Sequence, residues 1–271
     1  VAGTVPDGFK QAEEWTITAE QISDGAELQY IVDNHALSTH LQIVKRDAQT
    51  GSAVPLAGFT FQLLNGNREP ISQTSWHPAH TVMNTFTTDE TGTVTLPESL
   101  NPGTYYIRET SAKEPYLVGE DLEITIPADT NLTPVAVASF CDDAATGSIE
   151  IVKNDTVGGH ALAGAVFDIR AAGDIVRPDG SIVALDGETV ATVTTDEQGS
   201  ARASHLSLGC GTACYEVVET QAPEGYLLDQ SPHTVELSYA DQTTSVIEAH
   251  LGVFDDFTKI DISKVDLTGK Q

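Results

Sequence analysis

At two places in the chain, a lysine lies among apolar residues on an alternating strand pattern, and a glutamate and an aspartate follow it in similar patterns. The first lysine strand reads Leu41-x-Ile43-x-Lys45. Side chains alternate between the two faces of a strand, so residues two apart share a face. Each charged residue is therefore expected to point into the core with its apolar neighbours. The two predicted trios are Lys45, Glu109 and Asp142, and Lys153, Glu219 and Asp255.

An internal repeat places the trios in separate domains. The sequence Leu-Ala-Gly at 56–58 recurs at 162–164, and Thr-Thr-Asp-Glu at 87–90 recurs at 194–197. Self-similarity at a nearly constant offset of a little over a hundred residues is the signature of tandem domains. The repeat predicts one domain at 41–146 and a second at 147–257.

Partial repeats are predicted at both ends of the chain. Asn34 lies eleven residues before Lys45, as Asp142 lies eleven residues before Lys153, so residues 1–40 are expected to be the C-terminal part of a preceding repeat. Residues 258–271, which contain Lys264, are expected to be the opening strand of a following repeat. The chain is thus interpreted as a segment of a longer protein.

The fold class is predicted to be all-β. Short runs rich in Val, Ile, Thr and Tyr are separated by Gly, Pro, Asn and Asp, a pattern typical of immunoglobulin-like β-sandwiches, and no helix is predicted. Hairpin turns are predicted at Pro178-Asp179-Gly180 and at the two Thr-Thr-Asp-Glu-x-Gly stretches. Tandem sandwiches of this kind are expected to form an elongated array.

Charge and hydropathy narrow the range of partners. The formal net charge is −27 and the pI is about 4.3, so the chain is expected to repel phosphate backbones and to bind no nucleic acid. No apolar run approaches the roughly 20 residues that cross a bilayer, so no membrane insertion is expected within this segment.

The three cysteines leave the redox state open. Cys210 and Cys214 flank a short Gly-Thr-Ala tip, where a small disulfide loop and two unpaired thiols are both reasonable interpretations. Cys141 lies beside Asp142 on the opposite strand phase and is given no role.

A buried lysine beside two buried carboxyl groups has a specific chemistry. Burial disfavours charged forms, lowering the pKa of an amine and raising that of a carboxylic acid. A neutral amine can attack a protonated aspartate while the glutamate relays protons, giving an amide and water. Such a centre reacts once and requires no metal, no cofactor and no external substrate. The alternative is an unreacted buried ion cluster, which contributes little to stability.

Three segments of the sequence resemble those of a known family. The segment 215–226, Tyr-Glu-Val-Val-Glu-Thr-Gln-Ala-Pro-Glu-Gly-Tyr, resembles the motif that carries the catalytic glutamate in the Cna protein B-type, or SpaA-like, domains of Gram-positive surface proteins and pilins. The strands Leu-Gln-Ile-Val-Lys45 and Ile-Glu-Ile-Val-Lys153 resemble the lysine strand of that family, and Leu-Ala-Gly-x-x-Phe follows each. The resemblance implies a prealbumin-like β-sandwich with an intramolecular Lys–Asn or Lys–Asp isopeptide bond between the first and last strands.

The residue roles follow from the resemblance. It implies that Glu109 and Glu219 are catalytic. It also implies a Lys45–Asp142 bond in the first domain and a Lys153–Asp255 bond in the second. Both closing strands end in paired acids, and Asp142 is favoured over Asp143 by strand phase; Asp256 remains an alternative to Asp255.

The sequence therefore predicts a structural stalk or fibre segment of a bacterial cell-surface adhesin or pilin, exposed on the cell wall or pilus. Its expected partners are neighbouring repeats, other pilin subunits or a host surface ligand. The alternative is an adhesive module that binds a host or matrix ligand through the inserted segments 65–84 and 171–190; the first contains Trp76, His77 and His80. A turnover enzyme is not predicted, because the histidines are scattered and no phosphate-binding loop or nucleophile elbow is present.

Overall fold

The computed structural model describes residues 38–77, 79–127 and 135–259. These residues contain strands and no helix, which confirms the all-β prediction. They divide into two compact units, one made of the described residues up to 112 and of 118–142, the other of 113–117 and the described residues from 143 onward. Asn34, Lys264 and nearly all of the two predicted partial repeats lie outside the described residues.

Nine strands lie in the described residues of the first unit. They are β1 His40–Asp47, β2 Thr60–Leu64, β3 Gln73–Ser75, β4 Thr81–Met83, β5 Phe86–Thr87, β6 Thr93–Thr95, β7 Gly103–Ser111, β8 Leu122–Ile126 and β9 Val135–Asp142. One sheet has the strand order β6-β1-β9 and the other has the order β5-β2-β7-β8. Strands β3 and β4 form a separate hairpin in the first inserted segment.

The described residues of the second unit repeat this arrangement. The strands are β10 Thr146–Asp155, β11 Val166–Ala171, β12 Ile175–Val176, β13 Ile182–Ala184, β14 Thr189–Thr194, β15 Ser200–Ser207, β16 Thr212–Gln221, β17 His233–Ser238 and β18 Val246–Asp255. They form a β15-β10-β18 sheet, a β14-β11-β16-β17 sheet and a β12-β13 hairpin. One apolar core contains buried residues from both larger sheets, as in a sandwich.

The first and last strands of each unit pair side by side. Strand β1 runs parallel to β9, and β10 runs parallel to β18. Leu41, Ile43, Ile149 and Ile151 are buried, because they lie on the inward face of the alternating strands β1 and β10. Parallel pairing brings the C-terminal ends of the two strands together, which places the ends of the predicted lysine and aspartate strands at the same edge of each unit.

The turn predictions differ in outcome. Residues 178–180 form the predicted hairpin turn between β12 and β13. The two Thr-Thr-Asp-Glu stretches also form tight turns, but each connects strands of different sheets, β5 to β6 and β14 to β15, so the hairpin interpretation was wrong there. The physical reason is a buried threonine hydroxyl: Thr88 donates to the Leu56 carbonyl at 3.0 Å and Thr195 to the Leu162 carbonyl at 2.7 Å. These bonds tie each turn to the Leu-Ala-Gly segment.

Candidate functional site

The first predicted trio forms one buried cluster. Lys45 on β1 and Asp142 at the end of β9 belong to one sheet, and Glu109 on β7 belongs to the other. Lys45 Nζ lies 3.1 Å from Glu109 Oε1 and contacts Asp142 Oδ2. All three side chains are 0% exposed. The cluster therefore joins the two sheets of the first unit and its first and last strands.

The second trio has the same arrangement. Lys153 Nζ lies 3.1 Å from Glu219 Oε1 and contacts Asp255 Oδ1, and no side chain of the three is more than 1% exposed. Lys153 lies on β10, Glu219 on β16 and Asp255 at the end of β18. The structure thus brings together all six residues that the sequence singled out, as two separate centres.

Strand register explains how each amine meets its aspartate. Lys45 is paired with Phe140, and Lys153 is paired with Val253, so each aspartate lies two residues beyond the lysine's partner. A two-residue offset keeps the aspartate on the inward face.

A glycine in each Thr-Thr-Asp-Glu-x-Gly turn holds the backbone of the lysine. The carbonyls of Gly92 and Gly199 accept hydrogen bonds from the Lys45 and Lys153 N–H groups at 2.9 and 2.8 Å. Gly92 has a φ of +72°, and a Cβ there would lie 1.8 Å from the Val54 carbonyl oxygen. Another residue type would therefore disturb the turn that supports the lysine.

Aromatic rings lie near both amines. Lys45 Nζ lies 4.9 Å from the centroid of Phe59 and 4.8 Å from that of Phe140, whereas Lys153 Nζ lies 5.5 Å from that of Phe167. Rings of this kind exclude water, and a water-free site strengthens electrostatic interactions between the charged groups.

A backbone N–H group orients each glutamate. The Gly119 N–H donates to Glu109 Oε2 at 2.9 Å, and the Asp229 N–H donates to Glu219 Oε2 at 3.3 Å. Each donor lies ten residues after its glutamate. Strand periodicity did not predict these donors, because both lie in the loop after the glutamate strand and they differ in residue type between the two copies.

Burial changes the acidity of the carboxyl groups. It raises the pKa of Asp142 to about 8; the negative charge of Glu109 adds to this effect, while the positive charge of Lys45 opposes it. Burial also raises the pKa of Glu219. Asp255 Oδ2 is buried and accepts no hydrogen bond within the described residues. The carboxyl groups of Asp142 and Glu219 are therefore poorly solvated as anions, which favours their acid forms.

The comparisons with known proteins identify the family. The family model for the SpaA prealbumin-like fold domain matches residues 39–138 and 147–250. The chain belongs to the SpaA prealbumin-like fold domain family. The two matches confirm the resemblance that the sequence suggested and the prediction of two prealbumin-like domains in tandem.

Several solved structures are similar to the chain. The TIE protein of Bacillus anthracis matches with a TM-score of 0.51 and 22% identity, over 84% of this chain and 35% of that protein. The chain therefore spans about a third of the length of that relative. The shaft pilin SpaA of Lactobacillus rhamnosus GG matches with a TM-score of 0.34 and 18% identity, over 83% of this chain and 100% of the pilin. The minor pilin GBS52 of Streptococcus agalactiae matches with a TM-score of 0.32 and 16% identity, over 84% and 100%. No curated protein sequence is significantly similar to the chain.

The alternative aspartates occupy different environments in the two SpaA domains. Asp143 and Asp256 are exposed, whereas Asp142 and Asp255 are buried against the lysines. Asp256 Oδ1 instead accepts a hydrogen bond from the Thr156 hydroxyl. The geometry therefore favours Asp142 and Asp255 as the partners of the two amines.

A further buried aspartate follows each lysine by two residues, and the sequence reasoning missed both. Asp47 Oδ1 accepts hydrogen bonds from the N–H groups of Gln49 and Thr50, and Asp155 Oδ1 accepts them from Gly158 and Gly159. These bonds lower the pKa of Asp155 to about 2. Both aspartates organise the loop after the lysine strand, and the shared Lys-x-Asp spacing was the signal that could have found them.

The remaining predicted features lie away from the two centres. Cys141, Cys210 and Cys214 are free thiols, so Cys210 and Cys214 form no disulfide. In the first inserted segment Trp76 is 68% exposed, with its ring 4.6 Å from that of His80. Ligand binding by segments 65–84 and 171–190 stays a prediction. The described part of the chain holds no group of three or more His, Cys, Asp or Glu side chains placed to bind a metal ion. It also contains no helix long and apolar enough to cross a membrane.

Proposed function

We propose that the chain is a structural segment of a Gram-positive cell-surface pilin or adhesin, built from SpaA domains at 41–146 and 147–257 that crosslink themselves. The bonds join Lys45 to Asp142 and Lys153 to Asp255, and Glu109 and Glu219 catalyse their formation. One observation carries the proposal: in both units an amine and two carboxyl groups are in contact, shielded from solvent, between the first and last strands.

The reaction is a condensation within the folded domain. The neutral lysine amine attacks the carboxyl carbon of the protonated aspartate, and the glutamate, held by its backbone N–H donor, takes the amine proton and delivers a proton to the departing hydroxyl. One C–N bond forms, one C–O bond breaks and one water leaves. Groups fixed in this geometry reach effective molarities of ~10⁵–10⁸ M, so folding itself supplies the catalysis.

An unreacted ion cluster explains the arrangement less well than a covalent bond does. A buried ion pair gives little net stability because desolvation offsets most of its Coulombic attraction. Both domains have the three charged groups at corresponding strand positions. A covalent bond between the first and last strands would hold each domain closed, which an ion pair of little net stability does not do. The resulting rigid domains suit an extracellular fibre that assembles with neighbouring repeats and other pilin subunits.

The mass of the intact protein tests the proposal. The unmutated chain is expected to be lighter than its sequence by two waters after its cysteines have been reduced. Glu219→Ala is expected to restore one water, because the second bond does not form without its proton relay. Intact-mass spectrometry makes the measurement, and peptide mapping locates each bond.

Two matched variants serve as controls for this test. Glu216 lies on the same strand as Glu219 but outside the cluster, and Asp256 is the exposed acid beside Asp255. Glu216→Ala and Asp256→Ala are both expected to keep the two-water deficit. Asp255→Ala is expected to lose one bond. An unmutated protein with its full sequence mass would contradict the proposal.

The pH dependence of the first bond follows from the raised pKa of Asp142. In the folded, unreacted domain this carboxyl holds its proton up to a pH of about 8, whereas in the unfolded chain its pKa has the ordinary value of 3.8. The folded state therefore binds more protons between these values, and the unreacted domain loses stability as the pH rises through that window. The acid form is the electrophile, so formation of the first bond is expected to slow as the pH rises above about 8.

Freshly translated protein, moved into buffers on either side of this pKa and sampled by mass over time, provides the measurement. Circular dichroism at each pH confirms that the chain stays folded. A rate that climbs steadily through this range would contradict the assignment of Asp142 as the acid.

A further inference from the structure

We propose that Gly119 is a positioning residue of the first centre. Its missing side chain leaves the space that the Phe140 ring and the Asp142 carboxyl group occupy. The inference rests on the proposed crosslinking and extends it, because it names a residue outside the Lys-Glu-Asp trio on which the reaction geometry depends.

The space around Gly119 is already filled. A Cβ at this position would lie 2.7 Å from Phe140 Cε1 and 2.8 Å from Asp142 Oδ1. Both distances are shorter than nonbonded carbon contacts in close-packed proteins. The Phe140 ring also packs edge-on against Phe61, with the centroids 5.1 Å apart, and it lies beside the Lys45 amine. A methyl group at 119 would therefore displace the ring or the carboxyl group that meets the amine.

Space, and not backbone conformation, is what requires glycine here. Gly119 is not among the glycines with positive φ, so an alanine can adopt its backbone conformation. Its N–H group, which orients Glu109, would also remain in an alanine variant. The substitution Gly119→Ala therefore tests the contact with Phe140 and Asp142 alone.

The second centre has different residues at the two corresponding positions. Asp229 corresponds to Gly119, since both follow their glutamate by ten residues and both donate their N–H group to it. Val253 corresponds to Phe140, since both precede the reacting aspartate by two residues. In the first domain, glycine at 119 is combined with the large side chain of Phe140. In the second domain, Asp229 at the corresponding position is combined with the smaller Val253. This exchange of volume indicates that the two positions are coupled.

A rescue experiment tests the coupling. Gly119→Ala is expected to slow bond formation at the first centre by roughly 10- to 100-fold, because misplacement of reacting groups by about 1 Å costs on the order of 100-fold in rate. The second centre is expected to react at its normal rate. Phe140→Val, added to Gly119→Ala, is expected to restore the first bond to the rate of Phe140→Val alone, because it reproduces the pairing of the second centre.

The measurement is the fraction of each bond formed with time after synthesis, read by mass and by peptide mapping. Gly66→Ala is the matched control, because Gly66 lies in the same unit without a positive φ and a Cβ there would come no closer than 3.6 Å to another atom. It is expected to react as the unmutated chain does. Circular dichroism verifies that each variant folds.

The outcomes separate this inference from the proposed function. If the unmutated chain loses two waters and Gly119→Ala forms the first bond at the same rate, the positioning role is overturned while the crosslinking stands. Failure of Phe140→Val to rescue a folded Gly119→Ala variant overturns the coupling of the two positions, because the defect would then arise from the contact with the Asp142 carboxyl group and not from the ring. If the unmutated chain loses no water, both proposals fail together.

Discussion

Glu219→Gln is expected to lower the unfolding free energy of the second domain by about 5 kcal/mol. The amide keeps the shape of the glutamate but cannot relay protons, so Lys153 and Asp255 stay unlinked. Lys153 and Asp255 are 102 positions apart in the chain. Closing a loop of about 100 residues lowers the entropy of the unfolded chain, which in the estimate used for disulfides stabilises the folded state by about 4.7 kcal/mol. For a domain of this size such a loss corresponds to a fall of roughly 20 °C in Tm. Scanning calorimetry on the reduced protein makes the measurement.

Matched variants assign the calorimetric transitions. Glu216→Gln lies on the same strand without contacting the cluster and is expected to leave the Tm unchanged. Glu109→Gln is expected to shift the transition of the first domain and leave that of the second. If Glu219→Gln lacks the bond by mass and still unfolds at the original temperature, the bond does not stabilise the domain.

The charged trios could be predicted from the sequence because they depend on strand periodicity alone. Lys45 and Asp142 share their phases with Ile43 and Phe140, and one-residue shifts would have moved them to the solvent face. Periodicity also separated Asp142 from Asp143, since neighbouring residues point to opposite faces. Local patterns of this kind survive in the fold because burial of the apolar face determines the register.

Features that depend on distant contacts could not be predicted in this way. The turn at 194–197 has the composition of a hairpin turn, but the buried Thr195 hydroxyl binds the Leu162 carbonyl and directs the chain to the other sheet. Gly119 likewise has no local pattern that marks it, since its significance comes from Phe140 and Asp142, more than twenty residues later in the chain. Such residues become recognisable only when the strands have been placed side by side.

The path of mechanical force through the domain gives the second large effect. Tension that enters β10 reaches Lys153, crosses the proposed bond to Asp255 and leaves at the end of β18. The 101 residues between the two linked positions are bypassed and carry no load. Single-molecule force spectroscopy is therefore expected to show no extension from these residues in the unmutated chain. In Glu219→Gln the same residues are expected to extend by about 350 Å when the domain unfolds, because an extended chain spans about 3.5 Å per residue.

The length of the extension step makes this prediction specific, because a noncovalent cluster of any strength yields the full step once it breaks. Glu216→Gln, which keeps the bond, is expected to behave as the unmutated chain does. Glu109→Gln is expected to release the residues between Lys45 and Asp142 and no others, and the double variant Glu109→Gln/Glu219→Gln is expected to give two steps. A full-length step from an unmutated molecule already lighter by two waters would mean that the bonds join residues other than those proposed, since only a tie between the first and last strands removes the intervening chain from the load.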